Sequence, residues 1–236
     1  IKLYNDEVII EPLKEEKEQQ IAKSKAFSKT PTAIEIFAGG GTLVKALSDA
    51  GIKTVAAVEL EDKYLQSLEA NNPNVTTYCG DLAKIDISML PKADMVVAGI
   101  PCEGYSQSQT KKNEKFEAHP TGSLGFYVLK IIDAIRPAVV LIEEVPNFKS
   151  SAMASMTRYV LDSMGYHISE TELVGSDYGS LTKRKRYCMV ASIKKGFEFD
   201  DSLKKINTRT VRDILEVPVE NRDWLDKNNS ATISYS

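Results

Sequence analysis

Short apolar runs alternate with amphipathic segments along the first half of the chain. Apolar runs cover residues 33 to 38, 54 to 60 and 75 to 78, and the segments at 42 to 50 and 61 to 71 have helical spacing. A repeating order of strand and helix is typical of a parallel sheet with helices on both faces. The pattern therefore predicts an α/β fold with a mostly parallel sheet.

The second half of the chain continues this alternation. Residues 95 to 98 form the next predicted strand, and a helix over 123 to 135 ends before Pro137. The wholly apolar run at 138 to 142 is typical of a central parallel strand. The remaining predicted elements are a helix at 149 to 164, strands at 166 to 174 and 186 to 193 that we expect to pair antiparallel at the sheet edge, and a short helix at Thr208 to Glu216.

The ends of the chain are more polar than its centre. Residues 1 to 31 are predicted to form a polar extension, in which the charged run at 15 to 20 indicates a solvated helix or extended segment. The predicted folded domain spans 32 to 195. Because the sequence begins with Ile1 rather than Met, we expect it to be part of a longer gene product.

Composition excludes several kinds of site. A chain of 236 residues that is 42% hydrophobic and 27% charged is long enough for one full core. Its three cysteines, Cys79, Cys102 and Cys188, are widely spaced, and it has only two histidines. This pattern predicts neither a disulfide framework nor a metal site.

Hydropathy and charge bear on location and partners. No apolar stretch approaches the roughly 20 residues that span a bilayer, and the first residues lack the apolar core of a signal peptide. We therefore expect a cytoplasmic protein, in the interior of a prokaryotic or phage-infected cell, without a membrane partner. The net charge of −3 gives no overall basic surface, so nucleic-acid contacts would come from local clusters such as 183 to 186.

A glycine-rich turn follows the first apolar run. It reads Phe37-Ala38-Gly39-Gly40-Gly41-Thr42, and such glycines let a ligand approach the backbone closely. The dinucleotide fingerprint is not met, because Val44 stands where it requires a third glycine, and no phosphate-loop lysine is present. The turn thus indicates a nucleoside cofactor other than NAD or ATP.

Two carboxylates follow the next two apolar runs. Glu59 lies 18 positions after Gly41, where a carboxylate can accept hydrogen bonds from ribose hydroxyls. Asp81 follows the third run, where it can accept from an adenine amino group. Each carboxylate alone is more typical of a solvated loop, and Phe37 alone of a core aromatic. At successive strand ends, however, the three together describe a site for an adenosine without a pyrophosphate, such as S-adenosylmethionine.

A lone cysteine lies on the turn Gly99 to Ser106, directly after the apolar run at 95 to 98. In open α/β sheets the ligand crevice lies beyond the carboxyl ends of the strands. Cys102 is therefore a candidate nucleophile. The alternative is a buried structural cysteine, since free cysteine is among the most buried residue types.

Together these motifs resemble the cytosine carbon-5 DNA methyltransferase family. The family's first motif matches 37 to 42 except at Thr42, and its Gly-Pro-Pro-Cys-Gln-x-Phe-Ser motif aligns on 99 to 106 with Cys102 at the nucleophile. Its Glu-Asn-Val motif aligns on Glu143-Glu144-Val145. Its Asp-Tyr-Gly and Gln-x-Arg-x-Arg motifs align on 177 to 179 and on 182 to 186. The order and spacing of the motifs agree across residues 33 to 193.

The resemblance implies a Rossmann-like S-adenosylmethionine-dependent methyltransferase fold, double-stranded DNA as the partner, base flipping and a role in restriction-modification. Cys102 would add to carbon 6 of cytosine, and Glu143, if burial beside the apolar strand raises its pKa, would hold ring nitrogen 3 protonated. Arg186, with Arg184 behind it, would bind the carbonyl oxygen of the base and the neighbouring carboxylate. The implied cofactor-binding residues are Phe37, Ala38, Gly39, Gly41, Thr42, Glu59, Leu60, Asp81, Leu82 and Pro101.

Departures from the family pattern leave alternatives open. Glu144 replaces Asn and Thr182 replaces Gln, and Lys183 to Arg186 taken alone would be a solvated basic strand end. Residues 196 to 236 resemble only the start of a truncated or missing target-recognition region. The chain is therefore a fragment, a subunit whose partner chain supplies recognition, or a relative that lost the region. The alternative functions are tRNA cytosine-5 methylation and a silent regulatory subunit that binds the cofactor.

Overall fold

The computed structural model describes the strands Lys2–Tyr4 and Glu7–Ile9 as backbone only, and residues 30–101 and 123–204 in full. Contacts divide the chain into two compact units. The first comprises 1–173 and 185–201, and the second comprises 174–184 and 202–236. The domain boundaries that we infer from the sequence stay a prediction.

A seven-stranded sheet forms the centre of the first unit. It has the order β5-β4-β3-β6-β7-β9-β8, where β9 is antiparallel to β7 and β3 to β7 pair in parallel. This arrangement confirms the predicted mostly parallel α/β fold. The strands are β1 Lys2–Tyr4, β2 Glu7–Ile9, β3 Thr32–Ile36, β4 Lys53–Glu59, β5 Thr76–Cys79, β6 Met95–Gly99, β7 Val139–Glu144, β8 His167–Val174 and β9 Lys185–Ser192.

Helices cover both faces of the sheet. The described α-helices are α1 Thr42–Asp49, α2 Asp62–Asn71, α3 Leu124–Ile135 and α4 Ala152–Ser163. Because side chains alternate along a strand, Ile34 packs into the core with α3 and α4, whereas Ala33 packs on the opposite face with α1. Within the described part of the chain, no helix is both long and apolar enough to cross a membrane.

The start of α1 depends on an unusual cap. Gly41 precedes the helix with φ 87°, and neither a capping side chain at that position nor an acidic residue in the first turn stabilises the free N–H groups. The carboxyl of Glu35, near the end of β3, lies close enough to the backbone N–H of Val44 for this group to oppose the rise in its pKa. A buried strand carboxyl is therefore near the free N–H groups at the start of the helix.

Most predicted elements lie within two residues of their observed bounds, and the main differences have local causes. The predicted helix at 149 to 164 is divided, because Ser151 caps α4 by accepting the N–H of Ala154 at 3.0 Å, and Pro146–Ser150 before it forms a 3-10 helix. The pairing of β1 with β2 is antiparallel and was not predicted in the polar extension. The predicted helix at 208 to 216 lies outside the described residues.

Candidate active site

The parallel strands β3 to β7 end at one edge of the sheet, and a cavity of about 460 Å³ opens there. This volume is within the range of sites for small molecules and cofactors. Six of the ten cofactor residues implied by the sequence line it: Phe37, Glu59, Leu60, Asp81, Leu82 and Pro101. The cavity is also lined by Val58, Glu61, Lys63, Tyr64, Gly80, Gly99 and Leu124, which sequence reasoning missed.

The turn after β3 is held in a strained conformation beside this cavity. Phe37 has φ 62°, a left-handed conformation that costs a non-glycine residue on the order of 1–3 kcal/mol. Gly39, which also has positive φ, donates its backbone N–H to Oε2 of Glu59 at 2.8 Å. The first turn of the fold and the end of β4 are thereby fixed against each other.

Glu59 is an organised hydrogen-bond acceptor. Its Oε1 accepts the backbone N–H groups of Leu60 at 2.8 Å and of Glu61 at 3.1 Å. A carboxylate has about four lone-pair sites, so three are engaged by the backbone and one, on Oε2, remains for a ligand. The structure thus leaves Glu59 one acceptor site for a ribose hydroxyl.

Asp81 and Leu60 form the outer part of the cavity. Asp81 accepts the N–H of Ala83 at 3.0 Å, and its other oxygen lies 3.6 Å from Nζ of Lys84. Leu60 is 59% exposed although it is apolar. An exposed leucine beside a carboxylate provides an apolar contact for the face of a purine ring, next to an acceptor for its amino group. Tyr64 extends this surface, with Nζ of Lys63 4.9 Å from its ring centre.

The other predicted cofactor residues shape the turn and are not part of the cavity lining. Ala38 is buried, Gly41 caps α1, and Thr42 is the first residue of that helix. A Cβ on Gly41 would lie 3.0 Å from Cγ of Leu68. Lys63 and Tyr64 were missed although they lie on the first turn of the helix after β4, where crevice residues are expected.

Glu143 and Arg186 form an ion pair next to the cavity. Nε of Arg186 lies 2.5 Å from Oε1 of Glu143, and Nη1 donates to the carbonyl of Lys185 at 2.8 Å. Glu143 is only partly buried, with 36% of its side chain exposed, because it is the last but one residue of β7 and lies at the open end of the sheet. The ion pair fixes a hydrogen-bond acceptor, the Glu143 carboxylate, next to a planar donor group, the Arg186 guanidinium.

Gly99 connects the ion pair and the cavity. It lies opposite Glu143 in the register of β6 and β7, and it also lines the cavity. A Cβ at Gly99 would lie 3.6 Å from Oε2 of Glu143. Gly99, which has no side chain, therefore borders both the cavity and the Glu143 carboxylate.

Glu144 is the buried acid of this region. It is 1% exposed, and burial raises the pKa of its carboxyl to about 7. Oε2 accepts the N–H of Val145 at 2.6 Å, whereas the buried Oε1 has no hydrogen-bond partner among the described residues.

Two further predicted catalytic residues have no described place beside this pair. Cys102 lies outside the described residues. Arg184 is exposed and belongs to the second unit, where its carbonyl accepts the N–H of Gly175 at 2.9 Å. In that unit, Ser180 donates its N–H to the carbonyl of Gly175, and its Oγ lies 3.1 Å from Oγ1 of Thr182.

No cluster of three potential metal ligands occurs in the ranges that the structure describes.

The mostly parallel sheet, with a cavity and an acid–arginine pair at its carboxyl edge, defines an α/β protein with a Rossmann-like fold and a ligand site at that edge. The structure of the Schizosaccharomyces pombe Dnmt2 methyltransferase has the same fold, with a TM-score of 0.65 at 20% identity, over 83% of this chain and 62% of that one.

The sequence comparisons identify the family. The model of the C-5 cytosine-specific DNA methylase family matches residues 32–234, and the chain belongs to that family. It is 28% identical to the Type II methyltransferase M.MspI of Moraxella sp. over 82% of this chain and 46% of that protein. It is 29% identical to M.DsaV of Dactylococcopsis salina over 80% of this chain and 54% of that protein. The chain thus spans about half the length of these relatives.

Membership of this family implies a methyl donor of the S-adenosylmethionine type. The cavity fits such a group in two respects. Oε2 of Glu59 retains one acceptor site, and Leu60, Tyr64 and Phe37 supply apolar surface beside it.

Proposed function

We propose that this chain is the catalytic part of a DNA (cytosine-5-)-methyltransferase that uses S-adenosylmethionine. The observation that carries the proposal is the position of Gly99, which borders both the nucleoside-sized cavity and the Glu143–Arg186 pair. A methyl donor and a methyl acceptor must meet at reacting distance. Family membership identifies cytosine as the acceptor class.

In this proposal the cofactor would supply an electrophilic methyl group. Glu59 would accept a hydrogen bond from a ribose hydroxyl, and Asp81 would accept one from the adenine amino group. Leu60 and Tyr64 would contact the purine, and Phe37 lines the cavity from the turn after β3. Gly99, which has no side chain, would leave room between the cofactor and the base.

The base chemistry requires a nucleophile and two groups that hold the pyrimidine. The thiolate of Cys102 forms a bond to carbon 6, which places electron density on carbon 5. Glu143 holds the proton at ring nitrogen 3, and Arg186 donates to the carbonyl oxygen of the base. The methyl group would bond to carbon 5 as its bond to the sulfonium sulfur breaks, which leaves the donor as a neutral thioether. A water molecule would then take the carbon-5 proton, and the bond between the Cys102 sulfur and carbon 6 would break, which restores the thiolate.

The target nucleotide must leave the duplex before these groups can reach it, at a cost of a few kcal/mol. The exposed side chains of Lys183, Arg184 and Lys185 carry positive charge that can contact DNA phosphates.

The test is transfer of labelled methyl from S-adenosylmethionine to duplex DNA by this chain. Cys102→Ala should abolish transfer and leave cofactor binding nearly intact, whereas Cys79→Ala, which changes another free cysteine, should retain transfer. Full turnover by Cys102→Ala would exclude the mechanism. Preferential labelling of RNA would show the tRNA-methylating alternative. Cofactor binding without transfer would show that the chain needs a partner or the rest of a longer protein, or that it is a silent subunit.

A further inference from the structure

A hydrogen-bonded network joins four elements on the face of the sheet opposite to the ion pair of the candidate active site. Oε1 of Glu170, on β8, accepts from Nε of Arg158 at 2.6 Å and from the hydroxyl of Tyr187. Nη2 of Arg158, on α4, also donates to the carbonyl of Lys149 at 2.7 Å. The network therefore connects α4 and the 3-10 helix after β7 with the strands β8 and β9.

Tyr187 is the member of this network that adjoins the candidate active site in the chain. Its side chain is wholly buried, and its ring centre lies 5.8 Å from that of Phe148, which is also wholly buried. Tyr187 directly follows Arg186 on β9, and side chains alternate along a strand, so the two point to opposite faces. They are coupled through the backbone, because they share a peptide bond.

The backbone of Arg186 depends on this neighbour for its direction. In the register of β7 with β9 the last pair is Glu144 with Tyr187, so on the side of β7 the ladder stops before Arg186. The ion pair alone is a weak restraint, because the side chains of Glu143 and Arg186 are both partly exposed. Functional side chains keep a fixed geometry where the packing and hydrogen bonds of neighbouring residues lock the backbone that carries them.

The other branch of the network restrains the segment that follows Glu143. The 3-10 helix Pro146–Ser150 begins three residues after Glu143, and Arg158 holds it by the carbonyl of Lys149. Because Arg158 and Tyr187 share one acceptor oxygen, the backbone after Glu143 and the backbone after Arg186 are fixed to the same point.

We infer that Glu170 and Tyr187 are positioning residues, which hold the start of β9 so that Arg186 stays paired with Glu143. The inference rests on the proposed function, because it takes this pair as the group that would hold cytosine. A hydroxyl buried on the other face of the sheet should then affect methyl transfer through the orientation of Arg186.

The central test is Tyr187→Phe, which removes one hydroxyl and keeps the ring that packs on Phe148. The matched control is Tyr166→Phe, because Tyr166 is 3% exposed and donates its hydroxyl to the carbonyl of Pro137 at 2.6 Å. That bond lies at the opposite end of β7 from the ion pair. Both variants therefore lose one buried hydrogen bond of a tyrosine, and only one of them loses it beside Arg186.

Three substitutions on β8 test the acceptor. Glu170→Ala removes it, whereas Glu170→Gln retains an oxygen that can accept from Tyr187. Glu172→Gln changes an exposed glutamate of the same strand as the control.

Two readouts report on the site, and a third reports on the fold. The first is the NMR signal of the Arg186 Nε–H, which is assigned by its loss from the spectrum of Arg186→Lys. The second is the single-turnover rate of methyl transfer to duplex DNA at saturating S-adenosylmethionine. Urea unfolding of every variant records the loss of stability that follows from any lost buried hydrogen bond.

We expect Tyr187→Phe and Tyr166→Phe to lower the urea midpoint by similar amounts. Only Tyr187→Phe and Glu170→Ala should shift the Arg186 signal and lower the single-turnover rate, on the order of tenfold, as a misplaced functional group predicts. Glu170→Gln should stay closer to the wild type than Glu170→Ala in both readouts.

An Arg186 signal and a rate that Tyr187→Phe leaves at their wild-type values would overturn the inference. Equal changes in Tyr166→Phe would also overturn it, because they would trace the effect to stability alone. Absence of methyl transfer in every protein, with the Arg186 signal shifted only in Tyr187→Phe and Glu170→Ala, would contradict the proposed function for this chain alone and support the positioning role.

Discussion

The buried carboxyl of Glu35 should make the stability of this protein decrease as the pH rises. Glu35 is 2% exposed, and burial raises its pKa to about 8, a change that the charge of Glu59 reinforces and the hydrogen bond from Val44 opposes. Its Oε2 has no hydrogen-bond partner among the described residues. The neutral acid is therefore the form that the fold accommodates.

The size of the effect follows from linkage. The unfolded chain releases the Glu35 proton near its ordinary pKa of 4.5, and the folded chain retains it until about pH 8. The stability is fully present below pH 4.5, and it is lost progressively as the pH rises toward 8, because the folded state binds the extra proton. For Glu35 the loss between pH 5 and pH 7 is about 2 to 3 kcal/mol.

Urea unfolding of the wild type and of Glu35→Gln at pH 5, 6 and 7 measures this loss. We expect the free energy of unfolding of Glu35→Gln to depend less on pH, by about 2 to 3 kcal/mol over the interval. Glu172→Gln should keep the wild-type slope, and Glu144 contributes a smaller slope of the same sign in all three proteins. Equal slopes in wild type and Glu35→Gln would refute the assignment of a buried proton to Glu35.

Three further substitutions test the site. Phe37→Gly should relieve the positive φ, and the chain should stay folded while the dissociation constant for S-adenosylmethionine, measured calorimetrically, rises at least tenfold. Gly41→Ala should lower the free energy of unfolding by about 1–3 kcal/mol in urea titrations, because it combines φ 87° with a close contact to Leu68. Arg186→Lys should lower methyl transfer at least tenfold and change the unfolding free energy by less than about 1 kcal/mol, since its ion pair with Glu143 is partly exposed.

The sequence predicted those features that depend on neighbours along the chain. Apolar periodicity placed the strands and helices, and the glycine turn with Glu59 and Asp81 indicated the end of the sheet where the cavity opens. Lys63 and Tyr64 were not predicted, because their role depends on how the start of α2 faces β5 and β6. The bond from Gly39 to Glu59 joins residues 20 positions apart and likewise follows only from the strand order.

The two adjacent glutamates show most clearly where sequence reasoning ends. The sequence alone suggests that Glu143 is the more buried acid, because it aligns with a catalytic motif and follows an apolar strand. The alternation of β7 places Glu143 at the open edge with Arg186, and it turns Glu144 into the core. A shift of one residue in a strand exchanges the two faces, so the same two letters give one carboxyl that can reach a ligand and one that burial keeps mostly neutral until the pH approaches 7.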